Sequence, residues 1–565
     1  MKRFIKKQIL SIALPFAGAA LGGLLVGCSD AWDDHYNNTE QAAATESLLQ
    51  RIKQNAELSD FLRVCQATHL YNNMHSTPVT YAELLDADQT LTVWAPLNGT
   101  FNVDSLLELC QTAQGDSTVG LHFVANHVSR NLYNMNSATS ESVKMLNDKY
   151  LPLTAQKFFT SSVVSGNYNI PASNGVLHVI SSDAPYTYNL YEGLTSLGRY
   201  AHIGSLLKSF ERKELDENRS IQSGLVDGRK VYSDSVMVTE NDLFFSLDDI
   251  INEDSTFMML VPDANLWAPI YEEASSLFNY GSIEKADSVE RYWKTVCLVQ
   301  DLIFNRNRAV NKSPLDSLIT AAYTPREWPY HVYYKPYDAD SLFDRAQITD
   351  SMACSNGVIY HIGQWPFDTR QLYFHPVKVE GEFTSNLIEN TLCTTNFRET
   401  AMEGVSGRSY LDIVAKTSTS NWTATFEVKN TLSGTYDICI VTLPKTAYLP
   451  NSRDTKPNKF KATLTYTDLQ GAKQTVDYDT EMTTSGTKID TVLIGRFTFP
   501  VCNYQQPDAT VSLQIRCSIS NRQTSYSREM FLDCIYLKPV LPEATETKQR
   551  FGTYSAFEPR KEVIR

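Results

Sequence analysis

The chain has 565 residues, 42% hydrophobic and 11% aromatic, a folded composition too long for one hydrophobic core and sufficient for about three. Its formal charge of -14 excludes attraction to nucleic acid or to an anionic membrane surface by charge alone.

The N-terminus reads as an export signal. Lys2, Arg3, Lys6 and Lys7 precede an uncharged, mostly apolar run over residues 9–26, and Gly27 then stands directly before Cys28. A basic head, an apolar stretch that threads a translocon and a small residue at the cleaved bond predict a signal peptide of residues 1–27, with Cys28 lipidated as the first mature residue. The run approaches the roughly 18 residues that a membrane-spanning helix needs. Pro15, Gly18, Gly22, Gly23 and the terminal cysteine favour the cleaved signal. Residues 28–45 follow as a polar tether, with Asp30, Asp33 and Asp34 clustered behind Cys28.

From Glu46 the helical period begins. Leu48, Leu49 and Ile52 form one apolar stripe and Leu58, Phe61, Leu62 and Cys65 a second, so both helices need a covering layer. Residues 91–96, containing Thr92, form a short strand stopped by Pro96 and followed by a turn that carries Asn98 and Phe101. Residues 121–128 carry an apolar helical face that includes His127, and Asn174 and Gly175 turn into a β-branched strand containing His178. The pattern then recurs. Residues 255–267, with Pro262, repeat the first block, and residues 354–362, with Asn356, Gly357 and His361, repeat the last. In the helical slot of this copy Asp301 stands roughly where His127 stood. Insertions enlarge the second copy at residues 209–238 and 324–337. The boundaries expected are 46–188 and 189–370.

Beyond residue 370 alternating segments take over, at 374–379, 410–414, 422–428, 435–443, 460–467, 491–499, 510–519 and 530–537. Eight short strands between Gly, Asn, Pro and Ser turns predict an antiparallel β-sandwich over 371–541, with a polar tail at 542–565.

These blocks carry resemblances. Thr92, Pro96, Asn98 and Phe101, then His127, then Asn174, Gly175 and His178 resemble, in order, the signatures of the fasciclin domain; Pro262, Asn356, Gly357 and His361 resemble them again. Residues 377–382 and 531–539 resemble the opening and closing strands of galactose-binding-type jelly rolls. The acidic cluster of Asp30, Asp33 and Asp34 resembles the surface-export signal of Bacteroidetes-type lipoproteins. The resulting expectation is a multidomain chain: two α+β fasciclin-like domains followed by an antiparallel, jelly-roll-like β-sandwich. In the fasciclin family the histidine region is linked to fold integrity and, in some members, to adhesion. For His127, a buried imidazole bonded to backbone or hydroxyl is favoured over a partner contact, and the same holds for His178 and His361.

The chemistry is sparse. Nine cysteines besides Cys28 lack metal-ligand spacing and read mostly as core thiols, with one or two bridges left open in the last domain. No nucleophile elbow, zinc-protease motif or phosphate loop is present, so a non-catalytic protein without metal or cofactor is expected. Aromatic residues are the candidate ligand contacts. Trp328, Tyr330, Tyr333 and Tyr334 cluster in the second insertion, either as a stacking platform or as packing for the insertion itself. Tyr504 and Tyr526 lie in Asn- and Gln-rich loops expected at an exposed end, whereas Trp422 is expected in the core. The function expected is a lipid-anchored protein of the outer membrane, facing outward, that binds glycan or peptide/protein ligands. The resemblance implies an accessory role beside a TonB-dependent (SusC/SusD-type) nutrient-uptake complex. The alternative is an adhesin acting through its fasciclin domains; a glycan-active enzyme is a third reading. No nucleic-acid partner is expected.

Overall fold

A computed structural model describes residues 45–72, 75–226, 228–305, 317–319, 324–325, 332–333, 336–506 and 511–541. The signal, Cys28, the Asp30, Asp33 and Asp34 cluster and the tail at 542–565 lie outside them, as do Trp328, Tyr330 and Tyr334. The chain divides into two compact units between Tyr186 and Thr187.

In the first unit, α1 (Leu48–Gln54) starts at a capping box in which Ser47 and Gln50 satisfy each other's backbone amides. It buries Leu48, Leu49 and Ile52, and α2 (Ser59–Ala67) buries Phe61, Val64 and Cys65. Their cover is a four-stranded sheet of β1 (Leu91–Pro96), β2 (Val128–Ser129), β3 (Ile170–Ala172) and β4 (Gly175–Ile180), in the order β2-β1-β4-β3. The central strands β1 and β4 run parallel. Every residue of both is buried, because both sheet faces are covered. Leu91, Val93, Ala95, Leu177 and Val179 pack with the helices. Trp94 and Ile180 belong to a second core shared with a small antiparallel sheet of residues 140–144, 150–154, 157–158 and 161–162.

The Asn-Gly pair before β4 joins these parts. Asn174 Oδ1 accepts from the Leu48 amide at 2.8 Å, and its Nδ2 donates to the carbonyls of Leu85 at 3.0 Å and Ala87 at 2.8 Å. Gly175, at φ +149°, lies so close to β1 that a Cβ would stand 1.9 Å from the Leu91 carbonyl oxygen.

The second unit begins with the same plan. α3 (Leu190–Ser196) and α4 (Ala201–Lys208) precede a sheet of β5 (Phe257–Pro262), β6 (Ile303–Asn305), β7 (Ile348–Cys354) and β8 (Gly357–Ile362), ordered β6-β5-β8-β7 with β5 and β8 parallel. Asn356 repeats the clamp of Asn174, accepting from the Leu190 amide at 2.9 Å and donating to the carbonyls of Ile250 and Asn252. Gly357, at φ +154°, repeats the close approach, here to Phe257.

Register corrects two sequence alignments. Val93 pairs with Val128 as Met259 pairs with Ile303, so Leu302, not Asp301, occupies the place of His127, and Asp301 matches Asn126. His178 lies opposite Trp94 and Tyr360 opposite Leu260, so Tyr360 matches His178. His361 is one residue further on and falls at the position of Val179, on the other face of its strand.

The remaining strands form two antiparallel sheets. One contains β11 (Cys393–Glu399), β12 (Ser409–Ala415), β19 (Met530–Pro539), β14 (Thr435–Leu443) and β17 (Asp490–Thr498) in that order, with β9 (Val377–Glu380) also on β19. The other orders β10 (Leu387–Thr391), β13 (Thr423–Glu427), β18 (Ser512–Cys517), β15 (Lys459–Thr467) and β16 (Lys473–Thr483). Three strands, β10, β11 and β16, lie outside the alternating segments. They are edge strands with mostly exposed side chains, and the alternation of Val476, Tyr478 and Met482 in β16, which pack on the core, is diluted by Thr and acidic residues. Trp422 is buried, its Nε1 donating to the Arg528 carbonyl at 2.7 Å.

The sandwich does not close as a separate body; one continuous core runs from the second repeat into it. Cys502 N donates to the Asn279 carbonyl at 2.6 Å and Ser433 N to that of Leu277 at 2.9 Å. No disulfide joins the nine cysteines of the described residues, seven of which are buried.

Candidate functional site

Connections between strands at one end of the sandwich build a cleft lined by Leu443, Pro444, Lys445, Asp454, Lys456, Asn458, Ser485, Gly486, Ser527, Glu529 and Phe531. Its floor is set by register, since Leu443 at the end of β14 lies opposite Phe531 at the start of β19. Asn458, just before β15, fixes the β18–β19 loop by donating to the carbonyls of Ser527 at 3.0 Å and Glu529 at 2.6 Å. That leaves the Glu529 side chain to meet the Lys445 ammonium in a direct ion pair.

Beside the pair stands Tyr448, 42% exposed, on the short turn that follows Pro444. The Arg398 guanidinium lies 4.2 Å from its ring centroid and Lys445 Nζ lies 5.7 Å away. Arg398 is held from below by Asp412, Nε to Oδ2 at 2.8 Å. Its guanidinium is kept fully cationic by that bond and charge. The arrangement offers an aromatic flank beside a carboxylate, an ammonium and hydroxyl groups, a set suited to a polyhydroxylated ring by stacking and hydrogen bonding, while the Asn458 amide is spent on holding the loop.

A second polar cluster lies where β9 and β12 abut along β19. Asp533 is buried there, and Ser406 N donates to its Oδ1 at 3.1 Å. Glu380 accepts from Ser406 Oγ at 2.6 Å, and Glu382 from Ser409 Oγ at 2.8 Å. Lys378 Nζ lies 3.2 Å from Glu380. Burial first, and then the charge of Glu380, push the Asp533 carboxyl up to about 7. Burial likewise raises Glu382. Among the described residues no group of three or more His, Cys, Asp or Glu side chains is placed to hold a metal ion.

The sequence-chosen residues are distributed differently. Tyr504 is not at an exposed end. It sits between the second repeat and the sandwich, edge-on to Phe278 at 6.0 Å and to Trp293 at 5.7 Å, with its carbonyl accepting from Tyr280 OH at 3.0 Å. Burial pushes its hydroxyl far above the ordinary phenol range. Tyr526 is half-buried beneath Lys459, whose Nζ lies 5.5 Å from its ring centroid. Tyr333 falls on the strand Val332–Tyr333, whose side chains lie outside the description. His127 and His178 are fully buried and bonded to backbone. His361 is half-buried, with Nδ1 3.3 Å from Asp263, and burial lowers its affinity for a proton. Thr92 donates from Oγ1 to the Asn131 carbonyl at 2.7 Å, Asn98 ties β1 to α2 by accepting from the Asp60 amide at 2.8 Å, and Phe101 packs on Phe123 at 4.8 Å. Pro262 ends β5, its carbonyl 2.8 Å from His202 Nε2. Lys445, Tyr448, Asn458 and Glu529 were missed by sequence reasoning. The signal available was the connection of residues 444–458, long and bounded by Pro444, Pro450 and Pro457, between two regular strands.

No family model matches the chain, and no curated protein does. Among solved structures, it is similar to a FAS1 domain pair from the insect cell adhesion molecule fasciclin I, at 11% identity and a TM-score of 0.21, over 56% of this chain and 99% of that one. It is also similar to the CBM22-1 xylan-binding domain of Paenibacillus barcinonensis Xyn10C, at 13% identity and a TM-score of 0.19, over 29% and 93%. A third likeness is to the CBM22-1 and GH10 modules of Clostridium thermocellum xylanase 10B with xylohexaose, at 13% identity and a TM-score of 0.20. The chain covers 29% of that structure's length. At these scores the likenesses carry no argument about function.

Proposed function

We propose that this is a non-catalytic, lipid-anchored binding protein of the outer cell surface that takes a glycan in the loop-end cleft of its sandwich. The observation that carries the reading is the exposed Tyr448 beside the Lys445–Glu529 pair. The lipoprotein signal at Cys28 and the acidic residues behind it support display at the membrane surface. An accessory place beside a TonB-dependent transporter belongs to the same reading.

The test is binding of the intact protein to a panel of neutral and acidic polysaccharides, with Tyr448→Ala and Glu529→Gln as probes. Each substitution is expected to weaken binding at least tenfold while the melting temperature stays within a few degrees. Unchanged affinity in both variants removes the cleft from the reading. Co-purification with an outer-membrane barrel from mild detergent tests the transporter association.

An adhesive role is the second reading, favoured by one feature. The hairpin of Ile221–Val226 and Arg229–Asp234 in the second repeat exposes Ile221, Leu225 and Val226, with Leu225 at 66%. A two-stranded ribbon alone is marginally stable in water, so such a surface suits a protein contact. Loss of cell attachment on deletion of the hairpin, with polysaccharide binding intact, would establish it.

A further inference from the structure

The two buried histidines of the first repeat are held in tautomers that a proton would break. His127 Nδ1 lies 2.7 Å from the Phe123 carbonyl oxygen, so Nδ1 carries the hydrogen and Nε2 accepts from the Ala184 amide at 2.9 Å. His178 has the opposite tautomer. Its Nε2 donates to the Tyr133 carbonyl at 2.9 Å, and its Nδ1 accepts from the Asn169 amide at 3.2 Å. In each ring the lone pair that would take a proton already faces a backbone N–H. Protonation would set two donors against each other and place a charge where neither ring has solvent exposure.

The ties converge on one region. His178 stacks on Trp94 at 5.5 Å, and Trp94 stacks on Phe158 at 4.4 Å, in the core shared with the small antiparallel sheet. His178 holds the chain at Tyr133 and Asn169, while His127 holds it at Ala184, itself part of that core. The groups facing His127 are Phe61 from α2 and Phe123 from its own turn; Trp94 from β1 faces His178. Burial and one backbone bond alone set the proton affinity of each ring, with no charged side chain contributing. Asp183, next to Ala184, is held up by its own burial. The second repeat has Leu302 and Tyr360 at these two positions.

We propose that the first repeat is an acid-released clamp: protonation of His127 and His178 frees the chain around Tyr133, Asn169 and Ala184 and opens the core around Trp94, while the sheet of the second repeat stays closed. Burial holds both imidazoles down to about 4, against an ordinary value near 6.5. The released state therefore gains on the closed one between those two values, by about tenfold per pH unit for each ring.

Hydrogen exchange by mass spectrometry on the full chain, from pH 7.5 to 4.5 and corrected for intrinsic rates, reads the release. Protection around residues 133–135, 167–170 and 179–184 is expected to fall about tenfold per pH unit for each ring freed, while β5, which carries no titratable side chain, keeps its own. Loss of protection in both repeats together, or in neither, overturns the proposal. His127→Gln and His178→Asn retain an acceptor but cannot take the proton, so the double variant is expected to flatten the response. An unchanged response in a folded variant also overturns it. If the variant does not fold, NMR titration of the imidazole C2–H signals in the unmodified protein decides. Both rings must titrate together with the opening; a ring that titrates near 6.5 with its protection intact overturns the clamp.

Discussion

Two buried clusters, one in each compact unit, hold ionisable groups of opposite kind. The first encloses His127 and His178 as neutral rings whose lone pairs are already engaged, and burial pushes both down to about 4. The second encloses Asp533 beside Glu380 and Glu382, and burial with like charge pushes it up to about 7. For the histidines the unfolded chain binds more protons between about pH 4 and 6.5, so the first unit loses stability as pH falls through that window. For Asp533 the folded chain binds more between about pH 4 and 7, so this group's penalty grows as pH rises and is complete above 7. The same physical cause, desolvation, thus gives the histidine pair and the Asp533 cluster opposite responses to acid, because it disfavours whichever form is charged.

The strongest challenge to the comparison goes to what the repeats share. Gly175→Ala and Gly357→Ala would each drive a Cβ into a neighbouring strand at a backbone angle that side chains avoid. Each is expected to cost ~4 kcal/mol or more, read by thermal unfolding of its own unit. A mild effect in one repeat alone would show that their sheets are not equivalent. A smaller loss tests the continuity of the second unit. Tyr504→Ala removes a ring packed on Phe278 and Trp293 and is expected to cost about 3–5 kcal/mol, lowering the second repeat and the sandwich in one transition. Separate transitions, with only the sandwich affected, would divide that unit. The smallest effect is the most selective. Asp533→Asn keeps an acceptor for Ser406 N while removing a charge, and is expected to raise the second unit's stability by roughly 1–3 kcal/mol at pH 8 and hardly at all at pH 4. A variant equally stabilised at both values would mean that Asp533 is not the group that titrates.

The two repeats also show what a sequence pattern can carry. Asn174 and Asn356 stand before matching glycines, and each makes the same bonds to a helix start and to the loop before the first sheet strand. That pair was legible because the local geometry demands those residue types. The histidines were not legible in the same way. His178 and His361 look equivalent in their motifs, yet one residue of offset sends them to opposite faces, and Asp301 missed the place of His127 by one. A strand inverts its faces at every residue, so an approximate match in sequence is no match in space. Tyr504 failed for a related reason. Its Asn- and Gln-rich loop has the composition of an exposed end, but the second repeat covers it.

The order of the folded parts was legible in the residues alone: a pattern given twice and then an alternating third region. Such features rest on short-range rules of hydrophobic period and turn chemistry, which hold wherever the segment ends up. It took the folded chain to give the second repeat and the sandwich one core, to set Lys445, Asn458 and Glu529 around one cleft with Tyr448 beside Lys445, and to engage His127 and His178 with backbone amides. Each of those depends on side chains brought together from distant points in the chain, where register and burial, not residue type, fix the chemistry.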